Sequence, residues 1–309
     1  MQFLDVKTDY AFKKVFGSDN SKVRLIKFLN AIIYKDEEIK IADLTIEDPY
    51  NIPLIKGMKD TFVDVKARLN NNKVVIIEMQ VLNHNGFEKR VLYNAAKNYS
   101  VQLNKKDEYH LLNPVIALTI VDFMMFKDTE KYINRFKLLE KEEFISYSDD
   151  IELVFVELPK FKKELEELKE IQDEWIYFIQ NAGSLEYIPQ SFDNDIKDAL
   201  ECVNEANLTK KELEIQHKRK EFISIQKLAI MKANDDGFLK GRKEGMEQGR
   251  EEGMEQGREQ GREEGREQGR EEGIEQEKIK IAKNLLDVLD DETISLKTGL
   301  TVKQINKLR

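Results

Sequence analysis

Apolar residues recur along the first half of the chain in two rhythms. After Lys22, Leu25, Ile26, Leu29, Ile32 and Ile33 fall at helical spacing and predict a first helix. IADLTIED reads as a short strand that Pro49 and Pro53 close. TFVDVKARL and KVVIIEMQV are two strand-like runs joined by Asn70, Asn71 and Asn72, a residue type that tolerates the left-handed backbone of a tight turn. GFEKRVLYNAAKNYSVQL predicts an amphipathic helix, and NPVIALTIVDF and IELVFVELP two further buried strands. Helix, strand, hairpin, helix, strand is an α/β order.

The strand 73–81 breaks its own pattern. Val75, Ile77, Met79 and Val81 share one face, and Val74, Ile76, Glu78 and Gln80 the other, so two polar side chains follow two apolar ones. Pairing this strand with 61–69 through their apolar faces fixes the parity of the register. Asp64 then falls opposite Glu78, and Phe62 opposite Gln80. Like charges directly opposed destabilise a strand pair. Lys66 or Arg68, a solvated edge, or a divalent cation between the carboxylates would each offset that repulsion.

From Phe161 to about Asp236 the pattern turns helical, with Leu165, Leu168, Ile171, Trp175 and Phe178 on one predicted face. Trp175 reads as a core anchor or an interface residue. Ten glycines then fall at every fourth position from Gly237 to Gly273. Four residues advance a helix by about 400°, so the glycine row drifts by about 40° per step. Each interior glycine costs about 1 kcal/mol against alanine, and Glu-to-Arg pairs such as Glu255–Arg258 return only a few tenths. Either the repeat is a charged spacer, or two such rows meet in self-association. The last segment reads as a small helical unit, with a helix, glycine turn, helix stretch around Gly299. Lys303, Lys307 and Arg309 are a thin basic face for a DNA reader and suit a packing cap better.

Composition narrows the class. Of 309 residues 35% are charged, above the ordinary ~25%. The net charge of −9 is uneven: +3 over residues 1–110, −10 over 111–236, −4 over 237–276 and +2 over 277–309. A polyanion could approach only the N-terminal third or the tail. One cysteine, Cys202, excludes an intrachain disulfide framework. His84, His110 and His217 are dispersed and give no zinc-like cluster. The charged N-terminus does not read as a signal peptide. The longest apolar stretch contains Asp122 and is too short to span a bilayer, so the expectation is a soluble cytoplasmic protein with no membrane partner.

Asp64, a hairpin, then Glu78-Met79-Gln80 resembles the PD-(D/E)XK nuclease signature, with glutamine in place of the usual lysine. Together with TDYAFKKVFG, FEKRVLYNAAKNY and ELPKF, it is similar to the recombination-promoting nuclease/transposase family over roughly residues 5–235. That resemblance implies an α/β fold, a mixed sheet flanked by helices, with a nuclease-like core over 1–160. A helical extension over 161–236, the glycine-repeat helix over 237–276 and a helical unit over 277–309 would follow. It further implies a metal held by Asp64, Glu78 and the Met79 carbonyl, and a catalytic Gln80 that orients the attacking water or the scissile phosphate. The cation would be Mg²⁺, with Mn²⁺ as the alternative, and the substrate DNA, in recombination, DNA mobility or defence. Losing the lysine removes a fixed positive charge at the transition state. Arg90, Tyr93 and Lys97, at helical spacing, would hold DNA phosphate or form a solvated face, and Asp9 and Lys13 would join the site or pair on the surface. The rival reading is a non-catalytic self-assembling or regulatory protein that keeps the fold.

Overall fold

The computed structural model describes residues 1–51 and 61–309; the strand stop expected at Pro53 lies outside the described residues. Helix α1 (Asp9–Phe16) buries Ala11, Phe12, Val15 and Phe16, and α2 (Lys22–Ile32), where the periodicity predicted it, buries Leu25, Phe28, Leu29, Ala31 and Ile32. Strand β1 (Leu44–Glu47) is followed by a separate two-stranded pair, β2 (Tyr50–Asn51) and β3 (Thr61–Phe62). Then come β4 (Val65–Leu69), β5 (Val74–Gln80), α3 (Phe87–Ser100), β6 (Val115–Val121), β7 (Ile133–Leu139) and β8 (Ser146–Glu157). Helices α4 (Ile171–Asn181), α5 (Asn194–Cys202), α6 (Lys210–Leu285), α7 (Asp291–Thr298) and α8 (Val302–Asn306) complete the chain.

Six strands form one mixed sheet in the order β1-β4-β5-β6-β8-β7. The β5–β6 and β6–β8 pairs are parallel, and the rest antiparallel. All seven residues of β6 are buried, as its continuous apolar run requires of a central parallel strand covered on both faces. One face of the sheet, with Val75, Ile77 and Met79 of β5, joins α1, α2, α4 and α5 in the larger core. The other face, with Val74 and Ile76, packs under Phe87, Val91 and Ala95 of α3. Glu78 and Gln80 continue that second face beyond its apolar part.

One expectation needs correction and one alternative is settled. The helix predicted from Leu165 begins at Ile171; residues 165–167 form a single 3₁₀ turn, and Leu165 and Leu168 still pack on the core. Trp175 is fully buried beside Phe16, Phe28 and Phe178, which makes it a core anchor. The chain divides into two compact units, residues 1–229 and 230–309. In the second, Ala282, Ile294, Leu300 and Ile305 form a small core, and Gly299 ends α7 in the left-handed conformation (φ 73°) before α8.

Candidate active site

The β4–β5 hairpin sets the site. Its ladder pairs Val65 with Ile77 and Arg68 with Val74, the predicted parity, and Asn72 takes the left-handed turn conformation at φ 65°. The ladder stops at Val65. Asp64 N–H donates to the Ile77 carbonyl (3.0 Å), so two residues of one strand face a single residue of the other, a bulge. Parity inverts there: Val65 lies in the larger core, and Val63 in the core under α3. Phe62 consequently pairs with Tyr50 across β2–β3, and not with Gln80 as the unbroken register predicted.

The bulge re-aims Asp64. Its Oδ2 accepts the Met79 N–H at 2.7 Å, and its other oxygen lies 3.7 Å from Lys13 Nζ. The carboxylate beside it is Asp9, with which it shares a hydrogen bond, and not the opposed Glu78. Burial, and after it the Asp9 hydrogen bond, pushes the Asp64 carboxyl up to about 7. Burial also acts upward on Asp9, but the hydrogen bond from Asp64 and the Lys13 ammonium, 2.8 Å away, outweigh it and hold Asp9 below its ordinary value. One proton held between two neighbouring, half-buried carboxylates, with one lysine against both, accounts for the pair.

Glu78 has different partners. Arg90 Nη2 donates to its Oε1, and Asn94, one turn further along α3, hydrogen-bonds the same carboxylate. Burial raises the Glu78 carboxyl, with Arg90 and Asn94 acting against it. Lys66, the neutralising partner considered from sequence, pairs instead with Glu47 (3.4 Å), as does Arg68 (2.6 Å). Arg90 Nη2 also donates to Gln80 Oε1 at 2.6 Å, while Gln80 Nε2 donates to the Leu82 carbonyl at 2.7 Å. Both ends of the Gln80 amide are therefore fixed. Of the other expected helix residues, Tyr93 is exposed and Lys97 buried. The α3 residue that accompanies Arg90 to Glu78 is Asn94.

Asp9, Asp64, Glu78, Met79 and Gln80 line one cavity of about 310 Å³ at the end of β5. Lys7, His84, Arg219 and Phe222 line it too and were not foreseen, because no local pattern joins residues 7, 84 and 219 before the chain folds. The ELPKF stretch lies elsewhere. Buried Glu157 accepts from Met125 N–H (2.6 Å), Phe126 N–H (3.1 Å) and Lys160 Nζ (2.7 Å), and so pins the loop after β6.

The donors offered at the cavity are hard oxygens: the Asp64 and Glu78 carboxylates and the Met79 carbonyl. A strand residue directs its N–H and C=O to the same side, so the Met79 carbonyl points to the side where β4 has ended and Asp64 takes its N–H. Two half-buried carboxylates, both raised by burial, and a carbonyl fit a hard divalent cation that keeps several waters. Among the described residues no group of three or more His, Cys, Asp or Glu could hold a metal, so a closed zinc-type cage has no ligands here. Among them, too, no helix is long and apolar enough to cross a membrane.

No curated protein and no solved structure matches the chain. The family model of the PD-(D/E)XK nuclease family transposases matches residues 6–233, which hold the whole mixed sheet, its flanking helices and every residue of the cavity. PD-(D/E)XK nucleases generally use divalent metal ions, in keeping with the oxygen donors at the end of β5. With a matching six-stranded mixed α/β sheet and a match over most of its length, the chain belongs to the PD-(D/E)XK nuclease family transposases.

Proposed function

We propose that the protein is a metal-dependent DNA endonuclease that hydrolyses phosphodiester bonds, in recombination, DNA mobility or defence against foreign DNA. The observation that carries this reading is the meeting of Asp64, Glu78, Met79 and Gln80 in one cavity where β4 bulges away from β5. Asp64, Glu78 and the Met79 carbonyl would hold the cation, Mg²⁺ or Mn²⁺. When bound, such an ion polarises the phosphate and lowers the pKa of its water. Gln80, fixed by Arg90 and Leu82, orients water or a phosphate oxygen at its amide. Arg90 supplies positive charge beside it, where the family signature has lysine, and binds phosphate once Glu78 turns to the cation. Asp9, kept ionised by Lys13, accepts the hydrogen bond of the Asp64 carboxyl and so favours the proton on Asp64. DNA is the substrate class, and the cytoplasm the proposed location.

Purified protein incubated with supercoiled plasmid and Mg²⁺ or Mn²⁺ should produce nicked or linear product. Asp64→Ala and Glu78→Ala should each lower the rate at least a hundredfold while the far-UV spectrum stays unchanged. Nicking by either variant at the wild-type rate would refute the assignment.

We further infer that the protein self-associates through the glycine repeat. A Cβ at each of the ten glycines from Gly237 to Gly273 would meet open space, so the folded chain itself does not require glycine there. A non-catalytic assembly protein is the second reading. It draws on one observation: both candidate carboxylates already have partners, Glu78 in Arg90 and Asp64 in Asp9. Calorimetric titration with Mn²⁺ separates the two, since only the nuclease requires a site that Asp64→Ala removes.

A further inference from the structure

One wall of the cavity comes from α6, outside the hairpin and α3. Residues Glu212, Gln216, Arg219, Ile223 and Lys227 fall on one face of that helix at i, i+4, i+7, i+11 and i+15. Three of them tie the face down. Glu212 accepts from the Tyr10 hydroxyl, Gln216 Oε1 accepts from Thr8 Oγ1 (3.3 Å), and Lys227 Nζ donates to Asp122 Oδ2 (2.7 Å). Asp122 is itself fixed to the site strand, its N–H donating to the Gln80 carbonyl at 3.0 Å. Between these ties stand Arg219 and Phe222, both on the cavity wall. Arg219 lies near enough to Asp9 for its charge to act on that carboxyl. Phe222 is 57% exposed, a large ring kept in water at the rim of a polar cavity.

A guanidinium and a free aromatic face, three residues apart above a phosphodiester site, match the two parts of a nucleotide. Arginine holds phosphate, with no sequence preference. An aromatic ring stacks on a base, but only on one that has left the duplex stack, because neighbouring bases cover its faces otherwise. The cavity, about 310 Å³, is at the small end of ligand-sized pockets (~300–1,000 Å³) and suits one nucleotide. Resting on the nuclease reading above, we propose that Arg219 and Phe222 clamp the nucleotide beside the scissile phosphate. The enzyme then takes DNA with that nucleotide unpaired, in single strands, flaps or bubbles, in preference to intact duplex.

Binding in chelator tests this without cleavage. Fluorescence anisotropy of the full-length protein would be measured with a labelled 20-nucleotide single strand, the same strand in duplex, and a duplex carrying a three-nucleotide bubble. The expectation is at least tenfold tighter binding to single strand and bubble than to duplex. Phe222→Ala should weaken single-strand binding by roughly tenfold and duplex binding by less than twofold, and Phe222→Trp should restore the preference. Arg219→Ala should weaken all three and lower the slope of log affinity against log salt by about 0.7–0.9. Equal affinity for single strand and duplex, or equal losses on both from Phe222→Ala, would overturn the clamp. Asp64→Ala, measured alongside, should keep the strand preference. If plasmid nicking fails for every protein while the preference persists, the nuclease reading falls and the clamp stands.

Discussion

With Asp64 held between Asp9 and Met79, and Glu78 held by Arg90 and Asn94, the two half-buried carboxylates of the cavity should respond differently to loss of charge. Neutralising Asp64 relieves its contact with Asp9 and keeps an acceptor for the Met79 N–H. Neutralising Glu78 relieves burial but forfeits Arg90. Asp64→Asn should therefore raise the melting temperature in chelator at pH 8 by several degrees, at roughly 2–4 °C per kcal/mol for a unit of this size. Glu78→Gln should raise it by much less. A double-mutant cycle is sharper: Asp9→Asn with Asp64→Asn should couple by about 0.5–3 kcal/mol, and Asp64→Asn with Glu78→Gln should add within about 0.5. Coupling between Asp64 and Glu78 would restore the simple opposed-strand register. Alternation alone brought Asp64, Glu78 and Gln80 to one end of one hairpin. It could not reveal Asp9 as the neighbouring acid, because the bulge that turns Asp64 toward α1 leaves no mark in the hydrophobic pattern.

At the scale of elements, the contact of α6 with α1 has a measurable pH signature. In the first turn of α6, Glu212 accepts from the Tyr10 hydroxyl, and from the Thr209 backbone N–H (2.8 Å) and hydroxyl (2.7 Å), which together draw its carboxyl down to about 2. A carboxyl lowered on folding stabilises above its unfolded value of 4.5 and loses that contribution as pH falls toward 2. Glu212→Gln should thus melt below wild type at pH 5–8, and the gap should close between pH 4.5 and 2. A gap independent of pH would place the effect in packing instead. Helix α2 was legible because burial imposes a clear period on it, and β5, β6 and the second half of β8 because their apolar runs are nearly continuous. Strand β7 was not: of its seven residues five are exposed, so the edge of the sheet carries no alternation to read. Leu165 and Leu168 misled in the opposite way. Their spacing fits a helix, yet they reach the core from a 3₁₀ turn and the loop after it, since core packing selects apolar residues whatever backbone presents them.

For the whole molecule, the repeat poses a question of assembly. Over the nine steps from Gly237 to Gly273 a drift of about 40° each carries the glycine row once round the helix. Two straight helices cannot keep such rows together, so the copies would wrap with a right-handed crossing, as close-packed small-residue rows do at about −40°. After each glycine from Gly257 to Gly269 comes an arginine: Arg258, Arg262, Arg266 and Arg270. Before each glycine from Gly257 to Gly273 comes Gln or Glu: Gln256, Gln260, Glu264, Gln268 and Glu272. In a parallel pair opposite flanks meet, arginine against glutamate or glutamine; in an antiparallel pair like flanks meet, arginine against arginine. Charge therefore favours the parallel arrangement. In a Cys202→Ala background, Gly241→Cys should cross-link to itself under mild oxidation. A requirement for mixing Gly241→Cys with Gly269→Cys would indicate antiparallel pairing. Replacing alternate glycines with leucine raises helix propensity by about 1 kcal/mol per site yet blocks close approach, so helicity should rise while sedimentation shows a smaller assembly. Should wild type, the leucine variant and a chain lacking residues 237–273 all sediment as monomers, the repeat is a spacer, and its glycines await another account.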